Sequence, residues 1–215
     1  MKSFARISGL VFGLFLFASG VVLTMKADIG YAPWDVFHYG AARTAGVSIG
    51  TMSILVGLLV GAAAFALGEK IGLGTILNMV LIGVFMDLIL AADVVPAMEG
   101  FPAGVLLLTA GLFTVSLGSY FYIRSGYGAG PRDSLMVALR RMTGLPIGVC
   151  RALLEGTVVG AGWFLGGPVG LGTVIAAFGI GVCIQITFSV LRFEAASVRH
   201  ETLADTFAAF RAGAE

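Results

Sequence analysis

A carboxylate in the middle of an apolar run costs several kcal/mol unless it is paired, protonated or facing water, and Glu155 is such a group. Arg151 lies four residues earlier, which on a helix puts both side chains on one face. The pair reads either as a structural ion pair that fixes helix packing or as a proton- or cation-coupling group with its arginine partner. Asp87, Asn78 and Gln185 are further polar groups inside apolar runs. Each could serve an interhelical hydrogen bond or line a path for a solute, and for Asn78 the hydrogen bond is the stronger reading.

Two short motifs occur twice. In Gly-Tyr-Ala-Pro-Trp-Asp (Gly30–Asp35) and Gly-Ala-Gly-Pro-Arg-Asp (Gly128–Asp133), glycine allows a sharp turn and proline suits the first position of a helix. Asp35 and Asp133 then fall in the first turn, where the helix dipole stabilises a carboxylate by about 0.3–1 kcal/mol. They either secure the helix starts or, with Trp34 and Arg132, line opposite entrances to a path and hold a cation. The second repeated motif is Gly-Leu-Gly-Thr, at Gly72–Thr75 and Gly170–Thr173. Thr75 and Thr173 cap the following helices in the simplest reading, while bare amides there would suit paired anion gates.

Nothing here resembles a catalytic constellation. There is no Gly-rich nucleotide loop, HExxH motif or Ser-His-Asp set, and His38 stands without ligand-spaced partners. Cys150 and Cys183 lie in apolar runs with neither disulfide nor metal spacing. No cofactor, metal ligand set or catalytic residue is expected, and the chain reads as a non-enzyme.

The elements that must position these groups follow from composition. Of 215 residues, 58% are hydrophobic and 12% charged, against about 25% charged in a soluble domain. Thirteen basic residues against twelve acidic ones leave a net charge of +1, which excludes nucleic acid as an electrostatic partner. A bilayer core of about 30 Å needs roughly 20 apolar residues per helix. Six runs qualify: Ile7–Met25, Ser48–Leu67, Leu73–Ala92, Gly104–Ile123, Ile147–Leu165 and Leu171–Leu191. Two further helices, 33–44 and 131–143, are too short and polar to cross, and fit either an interfacial or a re-entrant placement. Lys2, Arg6, Lys70, Arg124, Arg132, Arg140, Arg141, Arg192 and Arg199 then share one side, leaving Lys26 and Arg43 on the other. The positive-inside bias therefore predicts six spans with both termini cytoplasmic. Leu203, Phe207 and Phe210 share a helical face in the tail, which predicts an interfacial amphipathic helix.

Sliding the chain on itself by 98 residues brings the motifs into register. Gly13-Leu14-Phe15 meets Gly111-Leu112-Phe113, Gly20 meets Gly118, and Gly46 meets Gly144. Gly30, Pro33 and Asp35 meet Gly128, Pro131 and Asp133, and Asp87 meets Gln185. Each repeat holds three crossings, an odd number, so the second must be inverted relative to the first. The expected fold is an all-α integral membrane protein of two inverted three-span repeats, each with an extra Pro-initiated helix. The repeats span 1–98 and 99–191, and 192–215 forms a cytoplasmic tail.

Gly30–Asp35, the turn Gly-Glu-Lys-Ile-Gly-Leu-Gly-Thr (Gly68–Thr75) and Gly-Ala-Gly-Pro-Arg-Asp-Ser-Leu-Met (Gly128–Met136) resemble the YczE-type bacterial membrane proteins, grouped with the YyaS and YitT proteins. The resemblance covers nearly the whole chain and implies a bacterial inner-membrane protein. It carries no assigned activity and no site residues. The expected function is a small transporter or channel-like permease, with the lipid bilayer and an unidentified small solute as partners. A monomer, a homodimer and a larger membrane complex all fit. The alternative is a non-transporting scaffold, regulator or substrate-capture subunit, docked through Arg124, Arg132, Arg140, Arg141 and the tail.

Overall fold

Helix boundaries follow the local chemistry closely. In the computed structural model, which describes residues 2–206, the regular elements are helical: α1 (Lys2–Lys26), α2 (Pro33–Ala45), α3 (Ile49–Ala66), α4 (Leu73–Ala92), α5 (Phe101–Arg124), α6 (Pro131–Thr143), α7 (Ile147–Phe164) and α8 (Leu171–Val190). Pro33 and Pro131 open α2 and α6, and Gly46 and Gly144 close them in the left-handed region, at φ 69° and 70°. Both residues fit those φ values because neither carries a Cβ. Among the described residues, six helices are long and apolar enough to cross a membrane, the first running Phe4–Lys26.

The centre of the bundle is the antiparallel crossing of α1 on α5. A Cβ on Gly13 would lie 2.9 Å from the Gly118 carbonyl oxygen, and one on Gly20 would lie 2.7 Å from that of Gly111. The backbones meet where only glycine fits, the close approach that membrane helices use in place of a hydrophobic driving force. Leu10, Leu14, Ala18, Val22 and Met25 of α1 are buried around this crossing. The other helices are arranged around it, with α4 packed on α1 and α8 on α5.

Two further packings place α2 and α6. α2 lies against the end of α7, where Gly162 faces the backbone of Val36 and Phe37, and α6 lies against α3. Pro131 approaches Gly61, inside the length of α3, and Arg141 at the other end of α6 reaches the Leu67 carbonyl and Glu69 beyond α3. The short helices thus start inside the bundle and end at its surface.

The turns before α4 and α8 are tied to the opposite half of the chain. Gly74 N–H donates to the Tyr127 carbonyl and Gly172 N–H to that of Ile29, both at 2.7 Å. Thr75 Oγ1 accepts from Gly72 N–H at 3.2 Å, and Thr173 Oγ1 accepts from Gly170 N–H at 3.1 Å. Those amides are already partnered, so Thr75 and Thr173 cap helices and the anion-gate reading falls away.

Past α8 the tail turns back over the bundle. Arg6 pairs with Glu201 at 2.7 Å, Glu201 N–H donates to the Gly126 carbonyl, and Leu203 N–H donates to that of Ile71. Residues to Thr206 act as a strap across the α1, α4 and α5 ends. Phe207 and Phe210, on which the expected amphipathic face depends, lie outside the described residues.

Candidate functional site

The first turns of α2 and α6 converge on one cavity of about 260 Å³. Its walls also come from the middle of α4 and α8, the inner part of α5, and the start of α7. Trp34, Asp35, Arg132, Asp133, Arg151, Glu155 and Asn78 all line it. Seven of the residues singled out by type and spacing are therefore brought together. Trp34 and Arg132 do not stand at opposite entrances: the Arg132 guanidinium lies 4.4 Å over the Trp34 ring. Arg132 belongs to this cavity rather than to a basic surface, which removes it from the docking face considered above.

Arg151 Nε donates to Glu155 Oε1 at 2.8 Å, as the four-residue spacing requires. Arg132 has a different environment. Among the described residues no carboxylate oxygen comes within 4.0 Å of it, and its polar neighbour is His38 Nε2 at 3.4 Å. His38 is itself 1% exposed, with Nδ1 3.5 Å from Asp35 Oδ1 one helical turn away. Without ligand-spaced partners in the sequence, this histidine stands between an acid and a guanidinium in the fold.

Asp133 keeps accessible surface although it sits among packed helices, because that surface faces the cavity. It makes no ion pair or side-chain hydrogen bond among the described residues. Tyr122, which sequence reasoning missed, is 4% exposed and lines the same wall. Its hydroxyl has no hydrogen-bond partner and lies 3.9 Å from where a Cβ of Gly130 would be, at the start of α6. A buried hydroxyl without a partner is costly, so its position beside a cavity is informative. Apolar side chains such as Met79, Met86, Leu112 and Val115 complete the enclosure.

Asp87 and Gln185 do not line the cavity. Asp87 Oδ1 accepts from Gly50 N–H at 2.9 Å and Oδ2 accepts from the Ser48 hydroxyl, so the carboxylate closes the start of α3 against α4. Gly50 and Gly83 meet backbone to backbone along that seam. The matching positions in the other half are Pro146, Gly148, Gly181 and Gln185. Pro146 has no hydroxyl to donate and Gln185 no charge to satisfy a helix start. Gly148 and Gly181 have no neighbouring atom within 4 Å of a Cβ position. One seam is shut and its counterpart stands apart.

Comparison with known proteins agrees with this membrane architecture. An uncharacterised membrane protein of Bacillus subtilis, YczE, is 36% identical over 177 residues, 81% of each chain. An uncharacterised protein of Haemophilus influenzae is 34% identical over 188 residues, covering 87% of this chain and 85% of its own. The B. subtilis protein YyaS is 21% identical over 182 residues, 83% of this chain and 90% of its own. No solved structure matches. Residues 4–189 match a family of unknown function, DUF6198, and with the similarity to YczE they establish that this multi-pass membrane chain belongs to that family.

Proposed function

We propose that the chain is a small permease of the bacterial inner membrane, built from two inverted three-span repeats with both termini cytoplasmic. It carries a small solute through the central cavity without a chemical step. The observation that carries this reading is the cavity itself, lined at once by two helix starts and by the intramembrane Arg151–Glu155 pair. Discontinuous helices whose N-termini meet at a polar site between repeats are how many secondary transporters hold their substrates.

The pairing of contacts supports the repeat. Gly13 meets Gly118 while Gly20 meets Gly111, and each contact becomes the other when 98 is added to one residue and taken from its partner. Trp34 and Arg132 are themselves 98 apart and touch, which is what residues at a twofold axis do. The shut α3–α4 seam beside an open α7–α8 seam is the asymmetry a rocking permease needs, with the two conditions exchanging as access alternates.

The docking reading has less support. Arg141 is engaged by Glu69 and the Leu67 carbonyl, Arg124 by Tyr120 Oη, and the tail by Arg6 and Gly126. These basic groups hold the molecule's own surface together.

Proteoliposomes loaded with a metabolite mixture test the permease. The expected result is exchange of at least one labelled solute, slowed tenfold or more in Glu155→Gln. No movement of any solute across a broad panel, with stable recovery of a stoichiometric partner protein, overturns the reading. A cysteine at Lys2 that reacts with impermeant reagent from outside intact cells overturns the orientation.

A further inference from the structure

We infer that the cavity is built for a small zwitterion, a molecule with an ammonium and a carboxylate beside a compact apolar side chain, such as an aliphatic amino acid. The inference rests on the permease reading and gives it a substrate class. Its basis is that the cavity holds charges of both signs that do not satisfy one another.

The positive end is at the start of α6. Arg132 is held by its face on Trp34, and apart from the contact with His38 its N–H groups have no acceptor among the described residues. The backbone amides of Arg132 and Asp133 are first-turn amides, which no helical carbonyl can take. The Tyr122 hydroxyl, buried and without a partner, and the Asp133 carboxylate both lie at that helix start, 3.9 and 3.2 Å from where a Cβ of Gly130 would be, so an acid of the chain's own already sits beside those amides. The free edge of the Arg132 guanidinium is the donor left for an incoming carboxylate.

The negative end is Asp133, whose carboxylate faces the cavity without a base within 4.0 Å. Glu155 is satisfied by Arg151 and Asp35 is buried, whereas the Asp133 carboxylate keeps accessible surface toward the cavity and is the acid an incoming ammonium can reach. Arg132 and Asp133 are consecutive residues that share a helix turn without pairing. Left empty, such a site keeps a cation and an anion of its own unpaired between largely apolar walls. A solute with one charge would answer one of them and leave the other. A zwitterion answers both and adds no net charge, which keeps its passage through a low-dielectric interior affordable. Met79, Met86, Leu112 and Val115 supply the apolar remainder of the wall, against which an aliphatic side chain packs.

The test uses three probes that share one skeleton: leucine, 4-methylpentanoate, which lacks the ammonium, and isopentylamine, which lacks the carboxylate. The purified full chain is melted with each probe at 10 mM, and uptake of labelled leucine into proteoliposomes is measured alongside. Leucine is expected to raise the midpoint, with neither singly charged probe giving more than a fifth of its shift. Arg132→Gln and Asp133→Asn should each weaken the apparent leucine affinity at least tenfold, while Asp93→Asn, in an exposed surface pair away from the cavity and both seams, leaves it within twofold. If either variant fails to fold, competition for leucine uptake by the two singly charged probes in the unaltered chain decides the matter. A larger shift from isopentylamine makes the cavity a cation site, and a larger shift from 4-methylpentanoate makes it an anion site; either overturns the inference. No response to leucine, while some other solute is exchanged, overturns the zwitterion and leaves the permease standing. No exchange of anything overturns both.

Discussion

Trp34 holds Arg132 by its face, which leaves the edge of the guanidinium free to bind. A stacked guanidinium is fixed in orientation, so its donors are aimed before any solute arrives, an arrangement lysine could not reproduce. At the surface, the ammonium of Lys26 lies 2.7 Å from Asp93 and holds that carboxyl below its usual range. The folded state therefore prefers the ionised acid, and the stabilisation is present above the unfolded-state pKa and fades as pH falls through the lowered one. Asp93→Asn is expected to leave the melting midpoint near neutrality little changed, since the pair is exposed, and to flatten its decline below about pH 4. A thermal melt series in pH checks this. Among the cavity residues, Glu155 with Arg151 was legible from spacing and hydropathy, because a charge in an apolar run is conspicuous. Tyr122 was not, because a tyrosine near the end of a span reads as an interfacial anchor. His38 could have been found through its three-residue spacing from Asp35, but the third member of that cluster is 94 residues away.

The two seams separate helices that the sequence makes look alike. α3 and α7 are each 18 residues long, and α4 and α8 are each 20 residues long, with glycines at matching places. Gly50→Ala and Gly83→Ala would each push a methyl into a facing backbone, and a loss of about 1–3 kcal/mol is expected from overpacking. Gly148→Ala and Gly181→Ala meet open space and should be neutral or slightly stabilising, since alanine is the better helix former. Unfolding midpoints of the four variants in one detergent make the comparison. The element boundaries themselves were readable: α4 and α6 match the expected limits, and the remaining spans differ by a few residues at their ends. Whether the short helices enter the bundle was not readable. Proline and a first-turn acid start a helix equally well at a surface or inside a bundle, and the approach of Pro131 to Gly61 shows only in the packing.

For the whole molecule, the exchange proposed between the two seams is tested by trapping it. Gly148→Cys with Gly181→Cys places thiols across the open seam, and in the alternate arrangement they would come within bonding reach. Oxidation is expected to form the cross-link slowly, to arrest solute exchange, and to be reversed by dithiothreitol. If the bond never forms while exchange continues, α7 and α8 do not close and the rocking description is wrong. The six long apolar helices were visible from hydropathy, since that signal is carried by runs of many residues. The contact between two distant helix starts was not, because nothing local in Trp34 or Arg132 announces that they share a space.

That contact has a consequence for how such a protein can arise. Trp34 and Arg132 occupy the same place in the two halves and lie against each other. Two separate copies of one half, assembled face to face, would bring tryptophan against tryptophan or arginine against arginine. The first lacks the cation, and the second sets two like charges together. Joining the halves into one gene frees each to mutate alone, so an unlike pair at the meeting point is available to the fused chain and denied to a dimer of identical halves.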